Sequence, residues 1–136
     1  MEHDGVYGLW RQGELLVAVR KTRGPYTGLL DLPGGTPEEG ETHGETLRRE
    51  LTEECAVDVV AVRRWHTFVL RVDQDSSGRP IDFVHRGVIA EVEVSGEPIL
   101  GYPDEDVSGV ELVAPGALTP TTASALLLHA AALLGR

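Results

Sequence analysis

Apolar residues recur along the chain in two rhythms, one of short runs that alternate or are continuous, the other a helical spacing. Val6 to Trp10 and Glu14 to Arg20 are short apolar runs separated by Arg11-Gln12-Gly13, which predicts a hairpin with a glycine-containing turn. In the second run Leu15, Val17 and Val19 point one way and Leu16 and Ala18 the other, so both faces are apolar and the strand is expected to be covered on both sides. A loop marked by glycine and proline, Thr22 to Gly28, precedes Leu29 to Pro33 and the turn Gly34-Gly35.

Glu41 to Cys55 holds no proline, one glycine and many Glu, Leu and Arg residues, a composition that predicts a helix. Val57 to Val72 and Ile81 to Val94 read as strand regions joined by the polar stretch Asp73 to Pro80. In the later region Val88, Ala90, Val92 and Val94 alternate with Ile89, Glu91, Glu93 and Ser95, which predicts one core face and one largely polar face. An acidic loop, Gly96 to Ser108, leads to a short strand at Val110 to Val113. Thr119-Pro120 has the pattern of a helix cap followed by proline at the first helical position, predicting a closing helix that reaches Leu134. That helix is apolar on nearly every side, so it is read as a cover for the core, with a contact in a homodimer as the alternative.

Length and composition narrow the class. A chain of 136 residues, 41% hydrophobic and 25% charged, matches one globular domain spanning 1–136. One cysteine, Cys55, allows no internal disulfide, and a cytoplasmic setting is the expectation. The longest apolar stretch is too short for a bilayer, so no membrane partner is expected. A net charge of -10 disfavours genomic nucleic acid, whose binding relies on Lys and Arg neutralising phosphates. A small phosphorylated substrate remains compatible if divalent cations stand between acid and phosphate.

On the predicted helix Glu50, Glu53 and Glu54 fall at i, i+3 and i+4, so three carboxylates crowd one side within about a turn. Leu47, Leu51 and Cys55 recur at a spacing of four and mark the packed seam beside them. Like charges next to a packed face call for a cation. Oxygen donors select a hard ion, Mg²⁺ with Mn²⁺ as a substitute, held loosely enough to leave room for a phosphate oxygen and a water.

From Gly35, five residues lead to Glu41, seven more to Arg49, and then follow Glu50, Leu51, Thr52, Glu53, Glu54, Cys55, Ala56 and Val57. This resembles the Nudix box, G-x5-E-x7-R-E-U-x-E-E-x-G-U with U a bulky apolar residue, of the MutT-like Nudix hydrolases. Ala56 stands where the family has glycine. The resemblance implies an α/β fold, an α/β/α sandwich with a mixed β-sheet. It also implies that Glu50, Glu53 and Glu54, with the backbone carbonyl of Gly35, bind the divalent ion, and that Arg49 orients a box carboxylate. Glu41 would support the start of the helix or a second metal through water. Glu53 is taken as the general base, with Glu105 of the late loop, then Glu91 or Glu93, as candidates from outside the box. Arg20 and Arg23 are candidate phosphate contacts. The implied reaction is hydrolysis of a phosphoanhydride in a nucleoside diphosphate linked to a group X, such as a nucleoside triphosphate. A non-catalytic nucleotide-sensing module is the alternative. Ala56 implies either strain at the helix end or a different turn, because a left-handed position there favours glycine.

Overall fold

A computed structural model describes residues 1–134; the last two positions of the expected 1–136 unit lie outside the described residues. The elements are β1 (Glu2–Leu9), β2 (Arg11–Gln12), β3 (Leu15–Lys21), β4 (Leu30–Asp31), β5 (Gly34–Gly35), α1 (His43–Cys55), β6 (Asp58–Gln74), β7 (Pro80–Ser95), β8 (Val107–Val113) and α2 (Ala125–Leu134). One sheet runs in the order β5-β1-β7-β6 and is mixed, because β1 and β7 are parallel while the other pairs are antiparallel. Beside it, β3 pairs with β8 on one edge and with the short β2 and β4. The strands form the middle layer of an α/β/α sandwich.

The alternation of β3 explains how that layer is covered. Val17 and Val19 join Val6, Ala90, Val92, Leu47, Leu51 and Cys55 in the core under α1. Leu16 and Ala18 join Leu9, Phe68, Ile89, Leu126, Leu127 and Ala130 in the core under α2. Both faces of one strand are thus covered, as its continuous apolar run predicts. Among the described residues, no helix is long and apolar enough to cross a membrane.

Three expectations change. The hairpin after Trp10 is only two residues deep, Arg11–Gln12 against Leu15 and Leu16; β1 itself leaves for the other sheet, where it pairs with β7 from Glu2↔Val84 to Leu9↔Glu91. Local alternation marks a strand but carries no information on its partner. The second face of β7 is polar only near its end, since Phe83, His85 and Ile89 are buried. Finally, Thr119-Pro120 does not begin α2. The residues after it make a single turn, Ala123 N donating to Thr119 O at 2.9 Å, and Ala123 then bridges β4, with Leu30 N donating to Thr122 O at 3.0 Å and Ser124 N to Leu30 O at 2.8 Å. The helix begins after Ser124, whose Oγ accepts from Leu127 N at 3.0 Å, so this serine takes the capping contact.

Candidate active site

The turn after β4 and the acidic side of α1 make one corner of the molecule. Thr42 caps α1: Glu45 N donates to Thr42 Oγ1 at 3.2 Å and Thr42 N donates to Glu45 Oε1 at 3.0 Å, a reciprocal pair that fixes where the helix starts. Thr-x-x-Glu at 42–45 is a signal that could have located this start from sequence. At the other end Ala56 adopts φ 60°, ψ 38° and its N donates to Thr52 O at 3.1 Å. The turn is therefore the one glycine favours, with alanine carrying the strain.

With the helix ends set, Leu47, Leu51 and Cys55 point into the core and the acids flank them. Glu54 is 2% exposed, and its Oε1 accepts from Gly34 N at 2.8 Å. Burial raises its pKa well above the usual carboxylate value against the opposing pull of that N–H, and neighbouring Glu50 adds to the rise. Glu50 is largely covered, its side chain 13% exposed; burial raises its pKa, Arg49 opposes this, and Glu53 and Asp104 reinforce it. Glu53 is the most open of the three, 46% exposed.

Arg49 organises the corner. Its Nε and Nη2 donate to the two oxygens of Glu41 at 2.7 and 2.8 Å, a bidentate contact that only a planar guanidinium makes. Nη1 donates to Glu50 Oε1 at 2.9 Å and lies 3.5 Å from Glu53 Oε2, and Nη2 donates to Thr36 O at 3.2 Å. The Glu41 carboxyl also accepts from Glu38 N at 2.7 Å and from Thr46 Oγ1 at 3.0 Å. With Arg49 first among the causes, its pKa falls to about 2. Glu41 is thus tied to the beginning of α1.

A divalent cation suits these donors. A Cβ on Gly35 would come within 2.7 Å of the Glu50 carboxylate, so the missing side chain is what lets that carboxylate lie against the backbone. The set is all oxygen, and two of its acids are held in partial burial where anions are unfavourable without a counter-charge. Among the described residues no three Asp, Glu, His or Cys side chains converge on one point. Arg49 draws Glu50 and Glu53 toward itself while Glu54 turns to Gly34.

Other sequence candidates lie elsewhere. Glu105 is 78% exposed and pairs with Arg23 at 3.3 Å, and Arg23 also bonds Asp106. Of that loop it is Asp104, missed by sequence reasoning, that acts electrostatically on Glu50. Arg20 holds Glu111 through two bonds of 2.5 and 2.8 Å. Glu91 meets His66 at 2.5 Å and Glu93 meets Arg63 at 3.4 Å. None of Glu105, Arg23, Arg20, Glu91 and Glu93 is hydrogen-bonded or ion-paired to an acid of the corner.

Solved structures share this architecture. The chain is similar to a MutT NUDIX hydrolase from Burkholderia pseudomallei at 19% identity, covering 97% of each chain with a TM-score of 0.68. It is similar to a NUDIX hydrolase from Nitrosomonas europaea at 16% identity, covering 99% of this chain and 90% of that one with a TM-score of 0.74. A MutT protein from Bacillus halodurans aligns at 18% identity over 98% and 80% with a TM-score of 0.61. At these identities the likeness establishes the fold. No curated protein matches the sequence. A model of the NUDIX domain matches residues 1–131, and the chain belongs to that family. Membership makes it a hydrolase of pyrophosphate bonds, of a class that uses divalent metals and small phosphorylated substrates.

Proposed function

We propose that the chain hydrolyses the phosphoanhydride of a nucleoside diphosphate linked to X, a nucleoside triphosphate being the simplest case, in a reaction that requires Mg²⁺, for which Mn²⁺ substitutes. The observation that carries this reading is the arrangement of Glu50 and Glu54. Both carboxylates are largely withdrawn from water, against Gly35 and Gly34, yet among the described residues only Glu50 has an arginine partner.

Glu50, Glu53 and Glu54, with the Gly35 carbonyl, would hold the cation. When bound, it neutralises charge on the phosphate oxygens and makes a nearby water more acidic. Arg49 and Glu41 keep the acids aimed and fix the start of α1. Glu53, the most open acid, accepts the proton of the attacking water. Attack on phosphorus breaks the bond to the bridging oxygen, giving a phosphate monoester and the remaining fragment.

The test is to incubate the protein with Mg²⁺ and a panel of nucleoside triphosphates, nucleotide sugars, dinucleotides and CoA, following the phosphorus-containing products. Hydrolysis of one class, abolished by chelator and restored by Mg²⁺, is the expected result. Full turnover after chelation overturns the mechanism.

A further inference from the structure

β6 ends the mixed sheet: among the described residues it pairs with β7 alone, and the backbone of Arg64 to Val72 bonds no other element. A strand of 17 residues, long beside the usual five or six or so, therefore turns a row of N–H and C=O groups outward. A free edge of that length is a template for another strand. Its α1-side face also exposes apolar groups. Val69 is 67% exposed and Trp65 43%; Trp65 lies beside His43 of α1, ring centres 6.1 Å apart, and Thr67 and Val69 line a shallow groove with His43 and Pro37.

Irregularities decide how much of this edge can pair. The register of β6 against β7 shifts between Val62 and Arg64 and again between Val72 and Gln74, and from Arg64 to Val72 it is unbroken. Bulges bend an edge out of line, so the straight stretch is what a partner strand can follow. Phe68 is its midpoint. Opposed residues of antiparallel strands share a face, so a two-fold axis relating two copies of one strand passes through a single residue position. With the axis at Phe68, the straight stretches of two copies overlap over their whole length. Trp65 then stands opposite Arg71 of the second copy, Thr67 opposite Val69, His66 opposite Leu70 and Arg64 opposite Val72. No like charges are opposed, each end sets an arginine against an indole, and Thr67 with Val69 makes a β-branched pair. Just past each end, Arg63 of one copy and Asp73 of the other carry opposite charges. An axis at Thr67 instead opposes Arg63 to Arg71, and one at Val69 opposes Trp65 to Asp73. Both shorten the straight overlap.

We propose that two copies of the chain associate by antiparallel pairing of β6 with β6 about a two-fold axis at Phe68, joining the two four-stranded sheets into one. The axis is perpendicular to the sheet, so α1 and the acid corner of both copies lie on the same side of the joined sheet. α2, whose apolar character suggested a dimer contact, offers less: Leu126, Leu127 and Ala130 are buried and Leu128, Leu133 and Leu134 pack against the same core. Among the described residues none of its large apolar side chains is exposed.

Sedimentation velocity of the full chain from micromolar to millimolar concentration should show a reversible shift from monomer to dimer. Val69→Lys, at an exposed position, places two ammonium groups diagonally across the axis and should weaken association about tenfold. Trp65→Ala should weaken it severalfold, and circular dichroism checks that both variants fold. Cross-linking reads the register. Across an axis at Phe68, position 67 faces position 69 within disulfide reach, whereas like positions lie on the longer diagonal. A mixture of Thr67→Cys and Val69→Cys proteins under oxidant should therefore form covalent dimer about fivefold faster than either protein alone, with the buried Cys55 as a silent background in all three. Fastest self-cross-linking of either cysteine variant moves the axis to that residue and overturns the proposal. So does a chain that stays monomeric throughout, or a dimer that both Val69→Lys and Trp65→Ala leave unchanged, which would place the contact on another surface.

Discussion

The two sides of the Gly34-Gly35 turn bury polar groups by opposite means. On the α1 side, negative charges are gathered around one guanidinium, and Glu41, Glu50 and Glu53 all touch Arg49. On the β1 side, a neutral imidazole sits between two phenols, and burial, ahead of His3 and Lys21, holds the His85 pKa down to about 4. The difference separates two kinds of dependence. Charge at the acid corner is poised to be exchanged for another ion, so changes there should alter turnover more than folding. Neutrality at His85 is a condition of folding, so changes there should alter stability first.

Loss of charge at the acid corner should have the largest effect. Glu54→Gln retains an acceptor for Gly34 N, and Glu53→Gln leaves the fold untouched; each should lower kcat by about 10²–10⁴-fold without lowering the melting temperature. Steady-state rates beside thermal melts check this, and a Glu54→Gln protein that melts early while turning over normally would make the acid structural. Next comes pH. His85 has a folded pKa near 4 against roughly 6.5 when unfolded, so between these values the unfolded chain binds the extra proton. His85 should therefore contribute a loss of stability on the order of 3 kcal/mol as pH drops from 6.5 to 4, read in urea titrations as the difference in slope between the native protein and His85→Gln. His85→Gln should remove most of that slope and leave kcat at pH 7.5 within a few-fold. Smaller is Arg49→Lys: a point charge cannot bridge Glu41 and Glu50 together, and kcat/KM should drop by about tenfold, a loss of ~1.4 kcal/mol. Least is Ala56→Gly, which relieves the left-handed alanine at φ 60° and should raise stability by about 1 kcal/mol with kcat unchanged. A fall in stability would place the strain elsewhere.

Features set within a few turns of chain were legible in the sequence. The helical spacing of Leu47, Leu51 and Cys55 and the acids beside them placed α1 to within two residues, because burial of one helix stripe imposes a period the sequence must carry. The two-faced burial of β3 was legible for the same reason. What depended on distant partners was not. His85 meets tyrosines 78 and 59 positions away, and nothing around any of the three advertises the others. The start of α2 was misread because Thr119-Pro120 satisfies a local rule while the pairing of Leu30 with Ala123, a tertiary contact, stops the chain after one turn. The pairing of Glu105 with Arg23 and the electrostatic influence of Asp104 on Glu50 depend on the loop's conformation, which a run of three acids does not encode.

The short pairing of β5 with β1, Val6↔Gly35 and Tyr7↔Gly34, makes the site a caliper. One jaw is the acid corner, the other His85 with its two tyrosines, and the gap between them is set by backbone register. Strand geometry allows that gap to change only in steps, since a shift of one residue turns every side chain to the opposite face. A shift of that register would carry Gly34 and Gly35 away from the carboxylates of Glu54 and Glu50, so the spacing of the site is held by the main chain itself.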